Sequence, residues 1–158
     1  MAVFRYSGIP TALALEARAT LRSPQYGHPA HRERARGYGP CRLCLRTFKV
    51  GEEDRLLFTY QPFAEPGSLP APGPVFIHAD GCERYDGLDY PPDLQVLPTV
   101  VEGFSRGGTL VAQVRVNGEG PEAVVRRVLE GTPAEYVHLR NAEAGCFMAR
   151  VERCFACD

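Results

Sequence analysis

The length and balanced charge of this chain exclude several classes of protein. Its 158 residues are enough for one ordinary core, and a hydrophobic content of 44% with 23% charged residues is typical of neither a disordered nor a fibrous protein. A formal net charge of -1 provides no field that would attract a polyanion, which argues against nucleic acid as a partner.

The chain shows no membrane or secretion signal. No apolar run is long enough to span a bilayer, and the first ten residues lack the basic start and apolar core of a signal peptide. We therefore expect a cytoplasmic protein with no membrane partner. In a reducing compartment, the six cysteines are expected to remain thiols or to bind metal rather than to form a disulfide framework.

The first half of the chain predicts short strands separated by irregular segments. The Pro/Gly-rich segment 66–74 cannot continue a sheet because proline lacks an amide donor, so we expect a loop there. We expect a second loop over residues 80–93. The turn at 50–52 would join its two flanking strands into a hairpin. In chain order we expect a strand over 4–9, a helix over 12–19, a solvated loop or edge strand within 23–40, and strands over 41–48, 56–63 and 75–78.

The second half predicts two hairpins with a helix between them. Pro121 suits the first turn of this helix, and Gly131 is placed to end it. Its apolar stripe, which would pack against the sheet, consists of Val124, Val125, Val128 and Leu129. The predicted elements are a hairpin of 99–102 with 109–116, a helix over 121–130, and a hairpin of 136–140 with 146–153. On the strand 109–116, the face expected to be buried carries Leu110, Ala112, Val114 and Val116.

These elements predict an α+β fold. It would be mainly antiparallel β-sheet, with one clear helix packed on it and long Pro/Gly-rich loops. We expect residues 1–158 to form a single domain, with a subdomain boundary near residue 91 as the alternative.

The last hairpin carries the first group of residues with chemical potential. A regular register would place Arg140 opposite Cys146 and Leu139 opposite Phe147. One face would then be apolar, and the other would carry Tyr136, His138, Arg140, Cys146, Met148 and Arg150. This second face could bind a carboxylate or phosphate while a thiolate or imidazole handles protons, although a half-exposed strand face often carries such residues without a function.

The same segment resembles the C-terminal signature of an uncharacterised bacterial family, which is catalogued as domain of unknown function number 1203. The residues that carry this resemblance run from Tyr136 to Arg153, YVHLRNAEAGCFMARVER. This resemblance covers most of the chain from Pro40 onward and implies a single domain, but no activity, substrate, cofactor or catalytic residue. The upstream motifs that follow in the order typical of the family are Gly39-Pro40-Cys41-Arg42, Gly51-Glu52, Tyr60-Gln61-Pro62-Phe63 and Gly73-Pro74-Val75-Phe76-Ile77.

The second group of residues is a set of cysteines and a histidine with metal-ligand spacing. Cys41-x2-Cys44 followed by His78-x3-Cys82 has the two-plus-two layout of a structural zinc site. A further Cys-x2-Cys pair allows a second set, formed by Cys41, Cys44, Cys154 and Cys157. The spacing does not choose between these sets, and it does not exclude unligated thiols. Redox catalysis is disfavoured because neither Cys-x2-Cys pair begins a helix.

The sequence therefore predicts no particular reaction. Its leading interpretation is a small binding or structural module, zinc-stabilised through Cys41, Cys44, His78 and Cys82, with a small molecule or a protein as its partner. The alternative is a small-molecule enzyme built on the strand face. In that enzyme the catalytic candidates are Cys146 as nucleophile, His138 as base and Arg150, and the ligand-binding candidates are Arg42, Arg140 and Asn141.

Overall fold

A computed structural model describes residues 3–62 and 72–155, and within those ranges it contains two antiparallel sheets and two α-helices. The predicted α+β class is confirmed. In chain order the elements are β1 (Val3–Ser7), α1 (Thr11–Thr20), β2 (His31–Arg34), β3 (Asp54–Tyr60), β4 (Gly73–His78), β5 (Asp86–Gly87), a 3₁₀ helix (Pro92–Leu94), β6 (Thr99–Phe104), β7 (Leu110–Arg115), α2 (Pro121–Gly131), β8 (Tyr136–Asn141) and β9 (Phe147–Cys154). Neither helix is long and apolar enough to cross a membrane.

The larger sheet joins the two ends of the described chain. Its strand order is β5-β1-β9-β8-β6-β7, and the smaller sheet has the order β2-β3-β4. Strand β1 pairs with β5 on one side and with β9 on the other, so it bridges segments that precede and follow residue 91. The segment predicted as a loop or edge strand within 23–40 contains β2, which is an edge strand of the smaller sheet.

The predicted helix is confirmed as α2, and its apolar stripe forms one side of the first core. Val124, Val125, Val128 and Leu129 are all buried, and the helix packs on β6 and β8. Each fully buried side chain of this kind contributes roughly 1.5–3 kcal/mol to stability. Of the face predicted to be buried, Ala112, Val114 and Val116 pack against this core, whereas Leu110 is 45% exposed.

A second core lies around the smaller sheet. It combines Ala14 and Ala17 of α1 with apolar residues of β3 and β4, and it includes Phe147 of the larger sheet. Cys41, Leu43 and Cys44 are also part of this core. The segment that carries the first cysteine pair is therefore buried between other elements.

The prediction of a strand over 41–48 is wrong. Residues 41–44 instead form a turn, in which the Leu45 amide donates to the Cys41 carbonyl (2.9 Å) and the Cys41 amide donates to the Arg46 carbonyl (2.9 Å). Leu45 has a φ of 61°, which an extended strand does not allow. The strand-like composition arose because consecutive residues here are buried, not because they alternate.

The hairpin predicted between 41–48 and 56–63 is consequently wrong as well. The second segment forms β3, which pairs with β2 and β4. Residue 63 and most of the loop predicted over 66–74 lie outside the described residues.

The terminal hairpin is confirmed, but its predicted register is wrong. Arg140 lies opposite Phe147 instead of Cys146, and Leu139 lies opposite Ala149 instead of Phe147, because a β-bulge interrupts the pairing between Leu139 and Arg140. The extra residue exchanges two neighbours between the sheet faces. Met148 joins the core under α2, and Phe147 joins the second core.

Gly8, immediately after β1, allows the 41–44 turn to lie close to the larger sheet. A Cβ atom at Gly8 would overlap the Leu43 carbonyl oxygen and would lie 2.6 Å from the Arg42 carbonyl oxygen. The two backbones can approach this closely only because residue 8 has no side chain.

We predict that Gly8→Ala lowers the free energy of unfolding by about 1–3 kcal/mol, because the added methyl group overlaps rigid backbone. Urea denaturation measures this change. Gly131→Ala is the matched control, since a Cβ at Gly131 meets nothing within 4 Å. An equal loss of stability in both variants would contradict the close approach at Gly8.

Candidate functional site

Four predicted ligand residues converge beside the smaller sheet. Cys41 and Cys44 lie in the 41–44 turn, His78 is the last residue of β4, and Cys82 lies in the loop that follows β4. Their ligand atoms all lie within 4.8 Å of one another. We call these four residues the Cys3His cluster; it could hold a metal ion.

The spacing within the Cys3His cluster suits a tetrahedral ion. The Sγ atoms of Cys41 and Cys82 are 3.7 Å apart, and Cys44 Sγ lies 3.5 Å from His78 Nδ1. A tetrahedral zinc ion, with Zn–S of about 2.3 Å and Zn–N of about 2.0–2.1 Å, requires separations of about 3.8 Å between sulfurs and about 3.6 Å between sulfur and nitrogen. Two opposite edges of the cluster thus have the lengths that such an ion needs.

Backbone hydrogen bonds hold the 41–44 turn in this position. The Arg42 amide donates to the Phe76 carbonyl of β4 (2.9 Å), and the Arg42 carbonyl accepts from the Ile9 amide (2.9 Å). The Leu43 carbonyl accepts from the Tyr85 amide (2.8 Å). The turn is therefore tied to three other segments before any ligand is considered.

Side chains around the Cys3His cluster orient the histidine and compensate the thiolate charge. Glu53 lies 3.0 Å from His78 Nε2, which leaves Nδ1 directed toward the cysteines. Arg18 donates from Nη2 to Cys82 Sγ (3.3 Å) and from Nε to the His78 carbonyl (2.9 Å). Three thiolates around a divalent ion leave a charge of -1, which a neighbouring guanidinium offsets.

The protonation of the Cys3His cluster favours one thiolate. Hydrogen bonds from Cys41, Cys82 and His78 lower the pKa of Cys44, whereas burial raises the pKa of Cys41. Hydrogen bonds to Cys44 and Cys82 raise the pKa of His78 to about 10. A metal ion must displace these protons, so its affinity for the cluster should increase with pH.

Two cavities border the Cys3His cluster. One of about 520 Å³ is lined by Cys44, Arg46, Arg84 and Tyr85, among others. The other, of about 240 Å³, has His78 in its wall. Arg46 lines both cavities. Each cavity also has apolar wall residues, such as Leu45 in the larger one and Phe48 in the smaller one.

A separate group of candidate residues surrounds Arg42. Its guanidinium is buried, and it donates from Nε to the Phe147 carbonyl (2.7 Å) and from Nη1 to the Pro40 carbonyl (2.6 Å). Its Nη2 donates to Cys146 Sγ (2.8 Å), and Cys146 is itself partly exposed. Burial lowers the pKa of Arg42. The structure thus brings a predicted ligand-binding residue to a predicted nucleophile.

Arg140 and Asn141 shape the turn that precedes Cys146. Arg140 forms a buried ion pair with Glu102 of β6 and donates from Nη1 to the Gly145 carbonyl (3.1 Å). The Asn141 side-chain oxygen accepts from the amides of Glu143 (2.9 Å) and Ala144 (2.8 Å). Asn141 therefore stabilises the turn itself.

His138 and Arg150 lie opposite each other on β8 and β9. The His138 ring is fully buried and contacts the rings of Phe104, Tyr136 and Phe147 at centroid distances of 4.9, 5.4 and 5.0 Å. Burial lowers the pKa of His138 well below its ordinary value, and the charges of Arg150 and Arg140 lower it further. His138 is therefore neutral at physiological pH.

The remaining candidates have different outcomes. Cys154 ends β9, opposite Val3, and does not belong to the Cys3His cluster. It is disulfide-bonded, so the expectation that every cysteine remains a thiol or binds metal is wrong at this position. Cys157 lies outside the described residues. The use of Cys146 or His138 in an enzyme stays a prediction. Sequence reasoning missed Glu53 and Arg18. Each contacts its partner, His78 or Cys82, only in the folded chain, and neither belongs to a spacing motif.

Comparison with known proteins identifies a family but no characterised relative. A family model described as protein of unknown function (DUF1203) matches residues 38–153. The search of curated proteins and the search of solved structures found no match. The matched range contains the whole Cys3His cluster as well as Arg42 and Cys146.

We predict that Glu53→Gln lowers the affinity for zinc by about 10-fold, because outer carboxylates that orient a ligating histidine typically contribute 10- to 100-fold. Competition with a chromogenic chelator at fixed pH measures this affinity. Glu52→Gln is the matched control, since Glu52 is an exposed neighbour. Equal affinities of the two variants would show that Glu53 does not support the histidine.

We also predict that His138 makes the protein less stable in acid. Below pH 6.5 the unfolded chain protonates this histidine, but the folded chain does not, so stability falls as pH decreases, by up to about 1.4 kcal/mol per pH unit. Denaturation of His138→Gln between pH 7 and 5 should show a weaker pH dependence than the wild type. His31→Gln, at an exposed position of β2, should behave like the wild type. Identical pH dependence in all three proteins would disprove the effect.

Proposed function

The chain belongs to the DUF1203 family, which has no assigned function, and we propose that it is a binding module stabilised by a structural zinc ion. The observation that carries this proposal is the convergence of the ligand atoms of Cys41, Cys44, His78 and Cys82 within 4.8 Å of one another. Two opposite edges of the cluster have the lengths that a tetrahedral zinc ion needs. The donor set, the closed coordination and the position of the cluster each support it.

The donor set favours zinc over other common ions. Thiolate sulfur and imidazole nitrogen are ligands for zinc and other soft or borderline metals, whereas magnesium and calcium require oxygen ligands. Four protein ligands would fill a tetrahedral shell and leave no position for a substrate or an activated water molecule. A structural role therefore fits the cluster better than a catalytic one.

A structural zinc ion in the Cys3His cluster would have a large effect on stability. Structural zinc sites contribute about 10–16 kcal/mol in apparent binding free energy, whereas a whole domain is typically stable by about 5–15 kcal/mol. An ion here would join the 41–44 turn to the end of β4 and to the loop that carries Cys82. It would thereby hold the smaller sheet to the segments that contact β1.

The binding role is supported by the cavities beside the Cys3His cluster. The larger one, about 520 Å³, falls within the roughly 300–1,000 Å³ of small-molecule sites. Leu45, Tyr85 and Pro92 provide apolar walls, while Arg46 and Arg84 provide positive charge. We propose this surface as the place where a small molecule or a protein binds.

Two further parts of the proposal concern organisation and location. We propose that the chain is a single domain, which is supported by the pairing of β1 with both β5 and β9. We also propose a cytoplasmic location, which is supported by a cluster that needs three reduced cysteines.

We predict that protein purified without chelator contains about one zinc ion per chain, because the Cys3His cluster provides one closed site. Elemental mass spectrometry measures the metal, and thermal unfolding with and without a strong chelator measures its effect on Tm. Cys41→Ser and Cys82→Ser should each lose the zinc and lower Tm.

Cys154→Ser is the matched control for the alternative ligand set. It should retain the zinc, because Cys154 lies outside the cluster. Loss of zinc from Cys154→Ser would favour the set that includes Cys154 and Cys157. A metal-free protein with the same Tm in chelator would disprove the structural zinc site.

A further inference from the structure

The contact between Arg42 and Cys146 lies outside the Cys3His cluster and has its own electrostatic requirement. Arg42 is 3% exposed, and its hydrogen-bond partners among the described residues are two backbone carbonyls and the Cys146 sulfur. A buried charge without a counter-charge costs several kcal/mol. A thiolate at Cys146 would supply that counter-charge.

The length of the contact agrees with this assignment. Arg42 Nη2 lies 2.8 Å from Cys146 Sγ, and hydrogen bonds between two charged groups are shorter than those between neutral groups. In the Cys3His cluster, by comparison, Arg18 Nη2 lies 3.3 Å from Cys82 Sγ.

A second guanidinium, that of Arg140, lies next to the turn that precedes Cys146. Arg140 is 8% exposed, and its Nη1 donates to the carbonyl of Gly145, the residue before Cys146. Glu102 pairs with this guanidinium, but the buried Nη2 has no hydrogen-bond partner among the described residues. An unpaired buried donor is costly, so a hydrogen-bond acceptor that reached this Nη2 atom would be stabilised.

The sulfur is also accessible. Cys146 is partly exposed, and it follows Gly145, which is exposed and has a φ of 78° at the end of the turn. Reactive cysteines characteristically combine partial exposure with adjacent positive charge. Here the positive charge is that of the buried Arg42, whose Nη2 contacts the sulfur.

From these contacts we propose that Cys146 is a modification site that reacts as a thiolate with peroxides. The thiolate sulfur attacks one peroxide oxygen, an S–O bond forms as the O–O bond breaks, and hydroxide leaves. The sulfur is oxidised by two electrons to sulfenic acid, and the peroxide is reduced by two electrons. Arg42 holds the thiolate before the reaction.

The test compares the reactivity of Cys146 in the folded and unfolded states of the full chain, loaded with zinc. Samples are treated at pH 6.5 with iodoacetamide or with hydrogen peroxide followed by a sulfenic-acid probe, and peptide mass spectrometry quantifies each cysteine. At this pH about 1% of an ordinary thiol is ionised, so full ionisation raises the thiolate concentration about 100-fold. Because a thiolate of lower pKa is a weaker nucleophile, the expected gain in reaction rate is about 10-fold. We expect Cys146 to be alkylated about 10-fold faster in the folded chain than in urea.

Variants then assign the effect to Arg42. Arg42→Gln should remove most of the 10-fold advantage, because it removes the guanidinium that contacts Cys146 Sγ. Arg115→Gln, at an exposed position of β7, is the matched control.

The comparison of folded with unfolded wild type remains decisive if a buried arginine variant does not fold. Folded Cys146 that reacts no faster than the unfolded residue would overturn the proposal. So would a folded Arg42→Gln protein that keeps the wild-type rate. Neither result bears on the zinc site, whose metal content is measured separately.

Discussion

The packing of one buried turn against three backbone segments positions residues of both candidate sites. The 41–44 turn accepts hydrogen bonds from Ile9 and Tyr85 and donates one to Phe76, and Gly8 allows it to approach the larger sheet. Because its amides and carbonyls are bonded to other elements, the turn has little freedom to move. Its side chains are consequently directed to fixed places.

The turn thereby contributes to two sites with different chemistry. Cys41 and Cys44 face His78 and Cys82, whereas Arg42 reaches Cys146 and the Phe147 carbonyl. Both sites contain buried ionisable groups, such as Cys41 in the first and Arg42 in the second, and a buried charge needs a partner. A metal ion would satisfy the first site, and a thiolate would satisfy the second. The two sites are linked mechanically, since displacement of the turn would disturb both.

Local patterns predicted those elements whose residues alternate or repeat along a single strand or helix. The stripe of Val124, Val125, Val128 and Leu129 predicts α2 because helical periodicity requires no knowledge of the partner surface. The same reasoning failed at 41–48, where contiguous buried residues resemble a strand. It also failed for the β8–β9 register, because a bulge depends on which core can accept Met148 and which can accept Phe147.

The sequence by itself determined the fold class, the main helix and the candidate ligands, since composition, periodicity and Cys/His spacing are properties of short segments. Only the tertiary structure shows that His78 and Cys82 lie beside Cys41 and Cys44, whereas Cys154 is held at the end of β9 by its pairing with β1. It also decided the roles of Glu53, Arg18 and Arg42, whose partners are distant in the chain. Contacts of this kind depend on how separate segments pack, and no local pattern records that packing.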